Sequence, residues 1–277
     1  MKQTRRTTVY DPALGIEAYR LQGFPRPFPP HFHDYYVIGY VEAGTRRMVC
    51  GGQAWTVRRG DLLVFQPGEV HACVQAGRGS LSYRGLNVPP AVMEHLAGEL
   101  TGAAAPPRFS PPVLTDPEAA GCLRFLHRLV MAGEPDFRRE ELLMLLVSRL
   151  LQLCGQTAPT EAPACRAEIA QLCGWMERHF AQRLDLDTLC RRAHLSKSTL
   201  LRAFVQARGM TPYRYLESLR VGAARRLLER GVPPAEAALE AGFADQSHLT
   251  HAFSRYLGVT PGAYQASFPS AEIRKRG

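Results

Sequence analysis

Three histidines near the start of the chain have a spacing suited to binding a metal or a small ligand. His31 and His33 alternate in a segment that reads as a strand, so their side chains would share one face. His71 follows the turn Pro67-Gly68. Three imidazoles can hold zinc or iron, so a divalent metal site is one of three hypotheses for these residues. The alternatives are histidines that hydrogen-bond within the fold, or that line a pocket for an organic effector without a metal.

Aromatic and cationic residues in the same part of the chain extend this candidate pocket. Small barrels commonly enclose one small ligand, and aromatic walls with an arginine clamp suit an organic anion. The candidate effector-binding residues are His31, His33, Tyr35, His71, Tyr83 and Arg84. The alternative for the aromatic residues is plain core. Cys73, two residues after His71, is a further candidate metal ligand.

A second set of chemically suggestive residues lies in an internal repeat. The frame A-x-[LF]…L-x-x-A-F-x₄-G-x-T-P occurs from Ala193 and again from Ala241. In each copy an apolar stripe leaves one helix face free, and that face carries hydroxyls, amides, Arg and His. Such side chains near a helix N-terminus suit contacts with phosphates and base edges in a major groove. The candidate DNA-binding residues are Lys197, Ser198, Thr199 and Arg202 in the first copy and Gln246, Ser247, His248, Thr250, His251 and Arg255 in the second.

The elements that must position these residues follow from capping and periodicity. Each copy reads as a helix-turn-helix, with Ser196 and Asp245 as N-caps of the second helices. Gly209 ends the first of these helices, and Gly242 makes the turn of the second copy. A helix from Pro212 to about Arg230 would join the units, so that two recognition helices about one DNA turn (~34 Å) apart could read adjacent grooves. The alternative is two helical hairpins packed as a structural bundle.

The remaining chain divides by texture. Short β-branched segments with glycine turns fill residues 1 to about 100 and predict a small barrel or sandwich. Helical periodicity follows over 117–130 and 137–153. We therefore expect an α+β multidomain protein. Its predicted parts are an effector-binding and dimerisation domain over 1–154, a linker over 155–165, an all-α DNA-binding domain over 166–268 and a tail over 269–277.

Charge and composition narrow the function. The net charge is +9, and residues 166–277 contribute most of it, with 17 Lys and Arg against 10 Asp and Glu. A basic helical half favours a polyanionic partner. No apolar run is long enough to span a membrane, no signal core follows the N-terminus, and the seven cysteines form no CxxC pair, which together predict a cytoplasmic protein without a membrane partner. No catalytic motif is present, so an enzyme is not expected.

The second copy carries a family resemblance. The run from Ala237 to Phe253, followed by Gly258-Val259-Thr260-Pro261, resembles the AraC/XylS family of bacterial transcription regulators, whose DNA-binding domain has two helix-turn-helix units joined by a central helix. The resemblance implies DNA contacts from Ser198, Arg202, Ser247, His248 and His251. His251 stands where the family usually has Arg, which implies a weaker and pH-dependent contact.

The N-terminal histidine motifs resemble those of a cupin barrel, which is common in the sensor half of such regulators. In metal-binding cupins a glutamate follows the second histidine by four residues, and here that position is Val37. The resemblance implies a cupin-like β-barrel with a helical dimerisation segment and a small-molecule effector. Its expected partners are promoter DNA, RNA polymerase and a second copy of the chain, and activation is implied more often than repression. The competing hypothesis is a metal-sensing regulator or a metal-dependent cupin enzyme that uses His31, His33 and His71.

Overall fold

The computed structural model describes residues 5–75, 79–102, 105–133, 137–154 and 165–268. The chain divides into two compact units, residues 1–161 and 162–277, each with a hydrophobic core of its own. The boundary falls inside the predicted linker, whose residues 155–164 lie outside the described ranges, as does the predicted tail. None of the helices in the described ranges has a stretch long and apolar enough to cross a lipid bilayer.

The first unit is built on two antiparallel sheets. A six-stranded sheet has the order β1-β2-β9-β4-β7-β10, and a four-stranded sheet has the order β3-β8-β5-β6. The strands are β1 Arg5–Asp11, β2 Ile16–Phe24, β3 Phe28–His31, β4 Tyr36–Ala43, β5 Arg46–Cys50, β6 Gln53–Val57, β7 Leu62–Phe65, β8 His71–Gln75, β9 Leu81–Val88 and β10 Val113–Leu114. The predicted sheet-rich fold is confirmed. A closed barrel is not found, because the ladders of the described residues form two separate sheets.

The core of this unit lies between the sheets. Alternation along β5 turns Arg46, Met48 and Cys50 inward, where Met48 and Cys50 join one apolar cluster with residues of β4, β6, β7 and β9. Gly39 of β4 permits a close approach in this layer, because a Cβ there would overlap the hydroxyl of Tyr83. The Tyr83 ring lies beside Tyr19, with the ring centroids 5.9 Å apart.

Three helices complete the first unit: α1 Pro90–Thr101, α2 Pro117–Ala132 and α3 Arg138–Cys154. The two predicted helices over 117–130 and 137–153 are thereby confirmed. Asp116 caps α2 by accepting a hydrogen bond from the backbone N–H of Ala119 at 2.8 Å. Arg149 of α3 donates to the same carboxylate at 2.7 Å, which fixes α3 against the start of α2. These two hydrogen bonds hold the pKa of Asp116 below its ordinary value.

The second unit is wholly helical in its described residues. Its helices are α4 Arg166–His179, α5 Leu186–Ala193, α6 Lys197–Arg208, α7 Pro212–Glu229, α8 Pro234–Glu240, α9 Gln246–Leu257 and α10 Pro261–Ala266. The pairs α5–α6 and α8–α9 are the two predicted helix-turn-helix units, and α7 is the predicted joining helix.

Candidate nucleic-acid interface and histidine cluster

The first helix-turn-helix unit is built as its sequence predicts. The carboxylate of Asp185 accepts from the backbone N–H of Thr188 at 2.7 Å and so starts α5. His194 ends that helix in the left-handed conformation, with φ 55°. The hydroxyl of Ser196 then accepts from the N–H of Thr199 at 3.3 Å and starts α6. Leu200, Ala203 and Phe204 are buried and hold α6 in the core, so its opposite face points away from this core.

The second unit repeats this construction with different residues. Gly242 takes the left-handed turn, with φ 83°. Asp245 accepts from the N–H of His248 at 2.8 Å and starts α9. Leu249, Ala252 and Phe253 are fully buried, in the same register as the three core residues of α6. Both predicted N-caps are therefore confirmed.

Helix α7 ties the units together through side-chain hydrogen bonds. Arg220 donates to the carbonyls of Phe180 and Gln182 at 2.8 and 2.9 Å, which clamps the turn between α4 and α5. Glu217 is buried on the same helix and accepts from Arg255 and from the hydroxyl of Tyr256, each at 3.2 Å. Side chains of α7 thus hold the first helix-turn-helix unit before α5 and the second at α9.

The structure divides the predicted DNA contacts of α6 into accessible and inaccessible residues. Thr199 and Arg202 are partly exposed, and Lys197 is also partly exposed but pairs with Asp187 at 2.9 Å. Ser198 is only 1% exposed, so the prediction that its side chain contacts DNA is wrong for this conformation. The error arose because Ser198 lies beside the apolar stripe and turns inward with it.

Arg202 is the most informative of these residues. Its Nε donates to the carbonyl of Ser198 at 3.3 Å, and its Nη1 is buried without a hydrogen-bond partner. Burial lowers the pKa of the guanidinium from its ordinary value. A guanidinium held along its own helix with an unsatisfied donor gains acceptors when it extends to a phosphate or a guanine edge.

On α9 the exposed predicted contacts are Gln246, Ser247, His251 and Arg255. His248 is partly buried, because its Nε2 lies 3.5 Å from the hydroxyl of Tyr213 and its ring meets Phe243 edge-on. Thr250 donates to the carbonyl of Gln246 at 2.8 Å. Arg255 is exposed in part, but its guanidinium is bound to Glu217, so the structure gives it a structural role that the sequence prediction missed.

Sequence reasoning also missed two groups of exposed residues on the first helix-turn-helix unit. Gln206 is exposed four residues after Arg202 and therefore shares its face of α6. Arg191, Arg192 and His194 are exposed at the end of α5, where with Thr188 they line a depression of about 450 Å³. An arginine pair at the end of the first helix was the available signal, since that helix crosses the DNA backbone in helix-turn-helix complexes.

The histidine cluster (His31, His33 and His71) is assembled at one end of the four-stranded sheet. His31 and His71 are paired residues of β3 and β8. His33 lies beyond β3, so the prediction that it shares a strand face with His31 is wrong, and a different contact places it. The carbonyl of His33 accepts from the backbone N–H of Gly68 at 2.8 Å, which fixes it to the Pro67-Gly68 turn. The candidate ligand atoms of the three side chains all lie within 4.8 Å of one another.

Neighbouring groups fix the orientation and charge of these imidazoles. The Nδ1 of His31 lies 2.7 Å from the carbonyl of Pro29, and the Nδ1 of His71 lies 3.0 Å from the carbonyl of Glu69. His71 stacks on Phe65, with ring centroids 3.8 Å apart. Burial, together with the two neighbouring histidines, lowers the pKa of His33 to about 4, and burial also lowers the pKa of His71.

The structure brings only part of the predicted effector site to this cluster. Tyr35 stacks on His33, with centroids 4.9 Å apart. Tyr83 lies instead in the layer between the sheets, and Cys73 is not part of the metal-ligand group. Arg84 binds the carboxylate of Glu42, which also accepts from Arg20. Arg84 is thus engaged with Glu42, and its role as an anion clamp stays a prediction.

These features define a two-domain regulator that joins a ligand-binding sheet domain to a tandem helix-turn-helix domain. A model of AraC-like ligand binding domains matches residues 15–151, and a model of helix-turn-helix domains matches residues 189–267. The chain belongs to the AraC family of helix-turn-helix transcriptional regulators. The resemblance seen in the sequence is thereby confirmed. The curated relatives of the chain are named as regulators of transcription rather than as enzymes.

Two curated relatives and one solved structure illustrate the similarity. The uncharacterized HTH-type transcriptional regulator YbfI of Bacillus subtilis is 40% identical over 250 residues, which cover 90% of this chain and 91% of that protein. The HTH-type transcriptional activator RhaS of Citrobacter koseri is 29% identical over 246 residues, covering 84% and 86%. The DNA-binding domain of AdpA in complex with a target DNA is 33% identical, covers 40% of this chain and 98% of that one, and has a TM-score of 0.36.

Proposed function

We propose that this AraC-type regulator activates transcription by placing both recognition helices, α6 and α9, in adjacent major grooves of promoter DNA. The observation that carries the proposal is the state of Arg202, a partly exposed residue of α6 whose Nη1 is buried without an acceptor. DNA supplies acceptors to that donor. The proposed contacts are Lys197, Thr199, Arg202, Gln206, Gln246, Ser247, His248 and His251, with Arg191 and Arg192 on phosphates.

Activation, rather than repression, is supported by relatives named as transcriptional activators, among them RhaS of Citrobacter koseri. An activator must meet RNA polymerase on the same DNA, so we include the polymerase among the partners and the cytoplasm as the place of action. A homodimer is supported by helix α3, where Leu142 and Leu145 are partly exposed on one stripe. A second copy that packs on this stripe would bury both leucines.

The sheet domain is proposed to bind a small effector that carries hydrogen-bond acceptors. Arg46 is 0% exposed, and its Nε has no hydrogen-bond partner, although its other nitrogens donate to the carbonyls of Thr45, Gly79 and Phe24. Trp55 on the neighbouring strand has a buried Nε1 that also lacks a partner. Unsatisfied buried donors are costly, and a ligand that accepts from them would gain affinity for that reason.

The DNA-binding proposal is tested with the full chain and a DNA duplex selected from a random pool. We expect Arg202→Ala to weaken binding about 10- to 100-fold, since a good bidentate contact is worth about 1–3 kcal/mol. Arg47→Ala is the charge-matched control, because Arg47 is exposed on β5 of the sheet domain. Unchanged affinity of Arg202→Ala with an intact melting curve would contradict the proposal. The salt dependence of the wild-type affinity counts the phosphates engaged.

A further inference from the structure

We propose that the histidine cluster is a binding site for a divalent late transition metal, with zinc as its reference occupant. The three imidazoles would supply three ligands and leave a fourth position for water or for an oxygen atom of a small ligand. Its use as a signal rests on the proposed sensor role of this domain, whereas metal binding itself does not.

Distance supports the site. The three candidate ligand atoms lie within 4.8 Å of one another. Nitrogen ligands of a tetrahedral zinc lie about 3.4 Å apart, given Zn–N bonds of about 2.1 Å. Small rotations of the imidazole rings therefore bring the cluster to coordination geometry. Two of the residues are already held by the backbone, through strand pairing of His31 with His71.

The tautomers are also those that a metal requires. A carbonyl oxygen only accepts hydrogen bonds, so the Nδ1 atoms of His31 and His71 must carry the protons that they donate to Pro29 and Glu69. The lone pair of each ring is consequently on Nε2. Metal-binding histidines usually donate their other ring N–H to a carbonyl or carboxylate in this way, which orients the ring and fixes the tautomer.

The set of donor atoms in the cluster decides which metals it favours. Neutral imidazoles bind zinc, copper, nickel and iron, whereas magnesium and calcium prefer oxygen. Val37, which occupies the position of a carboxylate ligand in metal cupins, is buried in the apolar core. A site with three imidazoles and no carboxylate therefore favours late transition metals, which prefer nitrogen ligands.

Access is provided by the partial exposure of His31 and His33, while His71 is 5% exposed at the inner side. A groove of about 350 Å³ between Pro30, Glu69 and Val70 reaches His71 from the outer face of the sheet. The metal can thus enter from solvent and keep one coordination position available.

The test is a titration of the full, chelator-treated chain with Zn²⁺ against a chromophoric chelator, repeated with Co²⁺ as a spectroscopic probe. We expect one equivalent per chain and visible Co²⁺ absorption typical of four-coordinate nitrogen ligation. The variants His31→Gln and His33→Asn, at partly exposed positions, should weaken binding at least 100-fold while melting like the wild type. His95→Ala, an exposed histidine on α1, is the matched control and should bind normally.

Binding that is substoichiometric, or that survives both histidine substitutions, would overturn the site, because the metal would then be held by other groups such as cysteine thiols. DNA binding is measured on the same samples to separate this proposal from the preceding one. A chain that binds DNA but no metal overturns the metal site alone. A chain that binds metal through the cluster but no DNA supports the site and contradicts the proposed function.

Discussion

The two helix-turn-helix units have one scaffold and two different surfaces. Both begin the recognition helix with a side-chain N-cap and end it with a left-handed glycine, Gly209 or Gly258. Both bury Leu, Ala and Phe in the same register. Outside this frame they diverge, since Arg202 on the first helix corresponds to His251 on the second. The two units therefore share the residues that folding requires and differ at the positions of the proposed DNA contacts.

The turns show the same lesson at a single residue. The first unit places His194, with an exposed side chain, in the left-handed conformation, whereas the second places Gly242 there. The difference follows from packing, because a Cβ on Gly242 would lie 2.7 Å from the carbonyl oxygen of Ala181. A glycine is required only where another backbone approaches.

The largest expected effect tests this difference between the turns. Gly242→Ala should destabilise the second unit by about 3 kcal/mol, since a left-handed alanine and a backbone overlap both add cost. His194→Gly should change stability by less than about 1 kcal/mol, because glycine relieves the left-handed conformation but gains entropy when unfolded. Urea unfolding of both variants measures the contrast. Equal losses would show that the two turns are under the same constraint.

The next contrast concerns the position four residues after Arg202 and His251. Arg255→Ala should cost about 2 kcal/mol, because it removes an arginine that pairs with the buried Glu217 carboxylate, and the partial exposure of Arg255 limits the loss. Gln206→Ala, at the equivalent exposed position of α6, should stay within about 0.5 kcal/mol. Thermal unfolding compares the two. A stable Arg255→Ala that binds DNA poorly would restore the direct DNA contact predicted from the sequence.

A third substitution makes the second recognition helix resemble the first. His251→Arg should raise affinity for the selected duplex about 10-fold, equivalent to about 1.4 kcal/mol, and steepen the salt dependence by about one phosphate. Titrations at several salt concentrations measure both quantities. His251→Ala is the companion variant, and its loss should be smaller than that of Arg202→Ala. A larger loss would reverse the ranking of the two helices.

The smallest expected difference is between the N-caps. Ser196→Ala and Asp245→Ala should each cost about 1 kcal/mol, as loss of an N-cap usually does. Asp245 should be the costlier by a few tenths, because its hydrogen bond is shorter, 2.8 against 3.3 Å, and its charge interacts with the helix dipole. Chemical unfolding near neutral pH resolves the order. Serine and asparagine replacements at 245 would separate the charge from the hydrogen bond.

The architecture of the helical domain (residues 162–277) was predictable because its sequence signals are local. Capping by Ser196 and Asp245, the proline helix starts and the buried Leu-Ala-Phe register are each set by residues a few positions apart. The pairing of Arg255 with Glu217 was not predictable, since it depends on where α7 lies against α9. The burial of Ser198 was missed because the residue lies at the edge of the apolar stripe of α6. The repeat frame predicted the fold of each helix-turn-helix unit. It did not predict which polar side chains are buried or paired with other residues of the protein.

In the sheet domain (residues 1–161), contacts between residues far apart in the sequence were likewise not predictable. Spacing brought the three histidines together correctly as candidates, even though His33 is placed by a turn at Gly68 rather than by the strand that we predicted. The position of Arg84 depends on Glu42, which is 42 residues away in the sequence. Sheet register decides such pairings, and periodicity within one strand does not contain that information.

Selection of DNA by the full chain from a random duplex pool tests most directly whether two units of one chain read adjacent grooves. We predict an enriched site with two conserved blocks about 10 base pairs apart, and loss of the first unit's block in Arg202→Ala. Enrichment of a single block, or of no sequence at all, would contradict reading by both helices.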